Sequence, residues 1–198
     1  METTTPIQDT TRWRVAYQGG PGSNSERAGL TLLAERFVGW PFASFAEATA
    51  TLASGQADGV LIPVFNSTTG PIHEAIAAIS PHDFVVLDTL TLAIEHYLLG
   101  NRDAGRHSIV QVLAHPQVAA QCAGWIRRRG YTPVLVDDGA LQAADLLQSG
   151  RRDIAILGPK GIGDATGLYC IEGPVQDRSD NRTTFRLLTR RELFEPRA

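Results

Sequence analysis

The sequence predicts an α/β fold in two lobes, and three observations carry that reading. From Trp13 onward short apolar runs alternate with stretches of helical period, the pattern of strands feeding helices. The alternation breaks at the polar, turn-like Gly100 to His107 and then resumes, which marks off a second βα-rich lobe over about 89–167. The C-terminal segment returns to the first lobe, which therefore comprises about 13–88 and 168–190. A chain of 198 residues is long enough to bury the core of two such lobes.

Trp13 to Tyr17 reads as the first strand, followed by the turn Gly19-Gly20-Pro21-Gly22. Ser23 with Glu26 is a capping box, and the helix it opens places Leu30, Leu33, Ala34 and Phe37 on one face. Phe42 ends a short extended piece, and Ser44 with Glu47 repeats the capping box before a helix lined by Phe45, Ala48, Thr49 and Leu52 and stopped at Gly55. Val60 to Pro63 is a buried strand; the polar run Asn66 to Gly70 follows, then a helix begun by Pro71 and packed through Ile72, Ile76 and Ile79. Phe84 to Leu99 is rich in β-formers, and its end embeds Glu95 and His96 among apolar residues. Beyond the boundary, Ser108 to Leu113 is a strand and His115-Pro116 opens a helix with Val118, Cys122, Trp125 and Ile126 on one face. Thr132 to Val136 is a strand, Ala140 to Leu147 a helix, and Asp153 to Leu157 a strand. The chain then passes Pro159 to Gly167 as a connection and extends from Leu168 to Ile171. Last, the polar cluster Asp180 to Thr184 runs into the apolar Phe185, Leu187 and Leu188, so its side chains either cap a buried strand or line a cleft.

Composition excludes several function classes. An apolar fraction of 43% with 20% charged residues is that of an ordinary soluble protein, and a net charge of −3 favours neither nucleic acid nor an anionic membrane. Lys160 is the only lysine; the arginine excess is read as coding bias rather than function. Cys122 and Cys170 match no metal or redox spacing and are expected to be reduced. Residues 1–12 are expected to form a disordered tail, with no signal-peptide character, on a cytoplasmic protein. No apolar run approaches the roughly 18 residues needed to span a membrane.

Three polar clusters share one placement, since Ser23 to Ser25, Asn66 to Thr69 and His115 to Gln117 each follow a strand and precede a helix. Helix N-termini directed at one cleft make a carboxylate site. Serine and threonine are also common N-caps without any ligand, but their recurrence at three junctions tells for a shared cleft. Lys160-Gly161-Ile162-Gly163 lacks the spacing of a nucleotide loop. His73, His82 and His107 read as surface residues, whereas His96 is held within an apolar run, where a satisfied core histidine is the ordinary outcome.

Five stretches then appear in one order: Tyr17-Gln18-Gly19-Gly20-Pro21-Gly22-Ser23-Asn24-Ser25; Ile62-Pro63-Val64-Phe65-Asn66-Ser67-Thr68; Ile94-Glu95-His96-Tyr97-Leu98-Leu99; His115-Pro116-Gln117 with Gln121-Cys122; and Gln176-Asp177 followed by Asn181-Arg182-Thr183-Thr184-Phe185. In this order the chain resembles prephenate dehydratase catalytic domains over residues 13–189. The resemblance implies a two-lobed fold like the type 2 periplasmic binding proteins, with the active site in the interlobe cleft. It implies removal of water and carbon dioxide from prephenate to give phenylpyruvate, with no metal or organic cofactor. It makes a small carboxylate the substrate and, as a family expectation, a homodimer the assembly. Thr183 falls on the family's threonine that assists hydroxide departure. By the same matching Ser23, Asn24, Asn66, Ser67 and Thr68 would line the site, with His96, Gln121 and Cys122 beside it.

The chain departs from the family pattern at Phe65, where the family has glutamate, at Thr184, where it has arginine, and at Ala114, where serine is common. An arginine–carboxylate bond is worth about 1.5–3 kcal/mol, or roughly ten- to a hundredfold in binding. Two accounts stay open. Arg182 replaces the missing arginine, since residues 182 and 184 share one side of a strand ~7 Å apart; or Phe65 and Thr184 mark a joint loss of acid and base for a changed substrate. The dehydratases of primary metabolism carry a further phenylalanine-binding domain, for which this chain leaves no room, so specialised metabolism is the expected setting. The alternatives are a non-aromatising prephenate decarboxylase, an enzyme of a tropone-type antibiotic pathway, or a non-catalytic small-acid binding protein.

Overall fold

The computed structural model describes residues 12–194, so the tail expected over 1–12 lies outside the described residues apart from Arg12. β1 (Trp13–Gln18) pairs in parallel with both β2 (Phe37–Phe42) and β3 (Gly59–Asn66). Parallel neighbours require crossovers, and α1 (Asn24–Leu33) and α2 (Phe45–Ala53) supply them. β4 (Gly70–Pro71) hooks back onto the end of β3 and leads into α3 (His73–Ile79) and β5 (Phe84–Ala93). β6 (Tyr97–Gly100) begins a second sheet, continued by β7 (Gln111–Ala114), α4 (Pro116–Gln121), α5 (Ala123–Arg129) and β8 (Thr132–Leu135). α6 (Gly139–Ser149), β9 (Ile154–Gly158), α7 (Lys160–Thr166) and β10 (Tyr169–Glu172) complete it. β11 (Arg182–Arg190) then returns to the first sheet between β3 and β5, and α8 (Arg191–Phe194) follows.

The strand orders are β2-β1-β3-β11-β5, with β4 on β3, and β10-β6-β9-β7-β8. Each sheet is covered by helices on both faces, which its near-continuous apolar central strands require. In the first lobe Val60, Ile62 and Leu188 pack under α2, while Val15, Tyr17, Phe185 and Leu187 pack under α1. In the second, Val112 and Leu98 meet Trp125 and Ile126 of α5, and Ile156 meets Ala140, Ala143 and Leu146 of α6. At about 1.5–3 kcal/mol for each large side chain fully buried, these clusters are the main favourable term.

Four expectations are corrected. α1 stops at Leu33 because Ala34, at φ 49°, turns the chain through a 3₁₀ segment, so Phe37 starts β2 and Leu30 is exposed. The helix read from Pro116 through Ile126 is two, broken at Cys122. The connection from Pro159 to Gly167 contains α7, whose glycine content lowers helix propensity and hid it. The lobe boundaries move as well. β5 pairs with β11 as far as Ala93, and β10 pairs with β6, so β5 belongs wholly to the first sheet and β10 to the second. The crossings are therefore 94–96 and 173–181, and they bind each other through Ile94 N–H to Asn181 O (2.9 Å) and Val175 N–H to His96 O (2.8 Å).

Candidate active site

Where the lobes meet, the first turns of α1, α2 and α6 converge with the ends of β1 and β9 around a cavity of about 340 Å³. Each of these three helices begins with a capped turn. Ser23 accepts from Glu26 N–H, Ser44 and Glu47 complete a reciprocal capping box, and Asp138 accepts from Ala140 N–H. Three helix starts present uncommitted N–H groups and the positive ends of their dipoles, each worth about 0.3–1 kcal/mol toward an anion. Glu26 does not complete its own box; its carboxylate takes Gly22 N–H (2.6 Å) and the Tyr17 hydroxyl (3.2 Å) and so holds the glycine turn. Burial, reinforced by Glu26, pushes the Tyr17 phenol well above its ordinary range, so it remains a donor.

The glycine turn clasps the second lobe. Asp138 accepts from Gly20 N–H (3.1 Å) with one oxygen and from Ala140 N–H (2.7 Å) with the other. Gly22, at φ +79°, lies so close to α7 that a Cβ there would stand 2.2 Å from Gly161 O. Only glycine permits that backbone contact.

Thr183 lies in the cavity wall beside Phe185 and Pro63, and is 8% exposed. Behind it stands Asn66, 2% exposed and opposite Thr183 in the β3–β11 register. Asn66 Oδ1 accepts from the backbone N–H groups of Thr68 (2.9 Å) and Thr69 (3.2 Å). Those backbone donors fix the amide, so its Nδ2 is the atom that donates to Thr183 Oγ1 (2.9 Å), Asn181 Oδ1 (2.8 Å) and Arg182 O (3.1 Å). Thr183 is thus an acceptor toward Asn66, and among the described residues no acceptor takes its own proton. That proton is free for the cleft.

Of the residues expected to bind substrate, Ser23 and Asn24 join Thr183 in the cavity wall. Asn24 Oδ1 is buried and has no partner among the described residues. The others lie elsewhere. Ser67 ties the β3 turn to β11, donating to Asp180 O (3.0 Å) and accepting from Arg182 N–H (2.9 Å). Thr68 and Gln121 face a second cavity of about 240 Å³ together with Asn181. His96, 2% exposed, lies in the first interlobe crossing with Nε2 against Gln121 Oε1 (2.7 Å), and burial lowers its pKa so that it stays neutral. Cys122 belongs to the second lobe's core, where desolvation, reinforced by Asp177, pushes its thiol up to about 12.

Phe65, Arg182 and Thr184 are the clearest corrections. Side chains alternate along β11, so Arg182 and Thr184 lie on the face opposite Thr183. Thr184 meets the Thr91 hydroxyl (3.0 Å), and Arg182 is exposed. Phe65 is the register partner of Thr184 and is 46% exposed. Positions 65 and 184 thus form a cross-strand pair and are not among the residues that line the cavity.

The sequence reading missed Glu74, Asp137 and Asp138, which also line the cavity; Asn181, part of the matched C-terminal stretch, links Asn66 to Gln121. Asp138 carried a local signal as an N-cap two residues before Ala140; Glu74 and Asp137 are brought in by tertiary structure alone. No lysine or arginine lines the cavity among the described residues. The helix starts bring backbone N–H groups to the cavity, and the exposed carboxylates of Glu74 and Asp137 supply negative charge at its rim.

Comparison with known proteins bears on the fold and the family. Arogenate dehydratase/prephenate dehydratase 2 of Arabidopsis thaliana is 29% identical over 191 residues, covering 96% of this chain and 50% of its own length. The chain thus spans about half the length of that relative. The structure of prephenate dehydratase from Arthrobacter aurescens in complex with L-Phe superposes with a TM-score of 0.81 at 22% identity, over 93% of this chain and 61% of its own. A nutrient-binding protein of Burkholderia cenocepacia bound to methionine matches in fold alone, with a TM-score of 0.50 at 10% identity over 91% of this chain and 85% of its own. The fold is of the periplasmic-binding-protein type, as expected. The family model for prephenate dehydratase matches residues 15–193, and the chain belongs to the prephenate dehydratase family.

Proposed function

We propose that this protein is a dehydratase-type lyase that removes carbon dioxide and hydroxide together from a cyclohexadienyl carboxylate of the prephenate type. The observation that carries the reading is the orientation of Thr183: its oxygen is engaged by Asn66, so its proton points to the cleft. Loss of carbon dioxide leaves its bonding electron pair in the ring, the pair completes the aromatic sextet, and the carbon–oxygen bond opposite breaks. Prephenate, a dianion, gives carbon dioxide, hydroxide and a monoanion, and arogenate, a dicarboxylate carrying one ammonium, gives carbon dioxide, hydroxide and a zwitterion, so charge balances without an added acid in either case. The Thr183 hydroxyl hydrogen-bonds the departing hydroxide, and the helix starts hold the side-chain carboxylate. Phe185, Pro63, Leu157 and Ile162 give the ring and its carboxylate an apolar wall, which favours expulsion of neutral carbon dioxide.

The cavity's charge favours one substrate over another. Glu74 and Asp137 without a lining cation suit arogenate, the substrate in the names of the plant relatives, whose ammonium group stands where prephenate has a keto group. Positions 65 and 184 lie outside the cleft, so they give no reason to prefer the decarboxylation that keeps the ring hydroxyl. Purified protein incubated with prephenate and with arogenate tests the proposal. Carbon dioxide with aromatised product is the expected result, at higher kcat/KM for arogenate. Carbon dioxide without aromatisation would make it a decarboxylase, and binding without turnover would make it a binding protein.

A further inference from the structure

Four side chains around the crossings close a ring of hydrogen bonds, and every bond in it runs the same way. Asn66 Nδ2 donates to Asn181 Oδ1 (2.8 Å), Asn181 Nδ2 to Gln121 Oε1 (3.0 Å), Gln121 Nε2 to Thr68 Oγ1 (3.1 Å), and Thr68 Oγ1 to Asn66 Oδ1 (2.5 Å). The direction is forced. The backbone N–H groups of Thr68 and Thr69 fix Asn66 Oδ1 as acceptor, which fixes Asn181, which in turn makes Gln121 Oε1 an acceptor. His96 Nε2, 2.7 Å from that oxygen, must therefore carry the proton, and its Nδ1 is left buried without a partner among the described residues. Head-to-tail chains polarise one another, so each bond strengthens the next.

The ring also joins the two lobes. Asn66 and Thr68 belong to the first lobe, Gln121 to the second, and His96 and Asn181 to the two crossings between them. Its one output to the cleft is the bond from Asn66 to Thr183. We propose that His96 and Asn181 are positioning residues: Asn181 as a member of the one-way ring and His96 as an Nε2–H donor to Gln121 Oε1 brace it across both lobes, and together with the backbone N–H groups of Thr68 and Thr69 they hold Asn66 as donor to Thr183 and so keep the Thr183 proton aimed at the leaving hydroxide. The kinetic part of this inference rests on the lyase reading; the tautomer does not.

Long-range ¹H–¹⁵N correlation on the full chain reads the His96 tautomer directly. Nε2–H is expected, and Nδ1–H overturns the ring whether or not the protein turns over substrate. Kinetics then separate positioning from folding. His96→Leu removes the donor, and kcat is expected to fall about tenfold or more while KM stays within about twofold, a share of the ~10²–10⁴ that such assistance supplies. His96→Gln can present an amide N–H to Gln121 and is expected to restore kcat to within about threefold. Asn181→Leu is expected to follow His96→Leu. Unchanged kcat in the folded His96→Leu and Asn181→Leu variants, or equal loss of kcat in His96→Gln and His96→Leu, overturns the positioning role. Absence of turnover in the wild-type protein beside an Nε2–H signal would sink the lyase reading and leave the ring standing.

Discussion

Replacing Asn66 by aspartate changes one NH₂ group to an oxygen and leaves shape and volume nearly untouched. The remaining Oδ1 keeps its bonds from Thr68 and Thr69, so the turn after β3 has no reason to move. What is lost is the donor that serves Asn181 Oδ1, Arg182 O and Thr183 Oγ1. Arg182 O still accepts from Ser67 N–H (2.8 Å), but Asn181 Oδ1 is left buried and unpaired at a cost of about 1–3 kcal/mol. Desolvation of the new carboxyl adds to this, and about 2–4 kcal/mol in total is expected in a urea titration, within the ~5–15 kcal/mol a domain has available. The Thr183 hydroxyl then has an acceptor behind it and turns its proton away from the cleft. kcat is expected to fall by about 10²–10⁴ with KM changed far less, read by appearance of aromatised product. Partial recovery as pH is lowered is also expected, because a reprotonated carboxyl can donate to Thr183 again. An Asn66→Asp variant with wild-type kcat would refute the reasoning.

Other perturbations have distinct signatures. Gly22→Ala puts a Cβ into the Gly161 carbonyl and strains a positive φ, so a stability loss of about 1–3 kcal/mol and a several-fold rise in KM are expected from thermal melts and initial rates. The double substitution Phe65→Glu with Thr184→Arg builds an exposed cross-strand ion pair outside the cavity; it is expected to add about 0.2–1 kcal/mol of salt-sensitive stability and to leave KM within about twofold. The Cys122 thiol is buried and pushed up to about 12, so in native protein an aromatic disulfide reagent should label Cys170 alone and reach Cys122 only on unfolding. His96 has a folded-state pKa depressed below its ordinary 6.5, chiefly by burial, so the unfolded chain binds the extra proton first. Its contribution to stability is complete above about pH 6.5 and declines as pH falls below it; His96→Gln should flatten that slope in denaturant midpoints measured across pH.

The alternation of apolar runs and capped helices made the α/β class and most elements legible, since each depends on local pattern. α7 was hidden by two glycines that serve close approaches rather than helix formation, Gly161 to the Gly22 backbone and Gly163 to Leu168 O. The ends of β5 and β10 were misassigned to lobes because sheet membership is decided by pairing partners, which composition does not encode. Within the site, Thr183 was legible through its match to the family's threonine, in a polar cluster running into a buried strand, and Ser23 and Asn24 as a cap and its neighbour. Phe65 and Thr184 were placed at the site by the family pattern and Arg182 by sharing a side of the strand with 184, and that same alternation sends 182 and 184 to the face opposite Thr183. Cys122 and His96 sat beside matched residues yet point into the core and the crossings. The acids Glu74, Asp137 and Asp138 come from two lobes, and only tertiary structure assembles them at the cavity.

The proposed chemistry turns on one hydroxyl. Single-turnover measurement of aromatised product by wild-type, Thr183→Ser and Thr183→Val enzymes, with substrate affinity determined in parallel, tests it most directly. Serine keeps the proton and valine keeps the shape. Substrate affinity within about threefold for both variants, a serine rate within about tenfold of wild type, and a valine rate lower by about 10² or more are the expected results. A valine enzyme that forms product at the wild-type rate would contradict the assignment of Thr183.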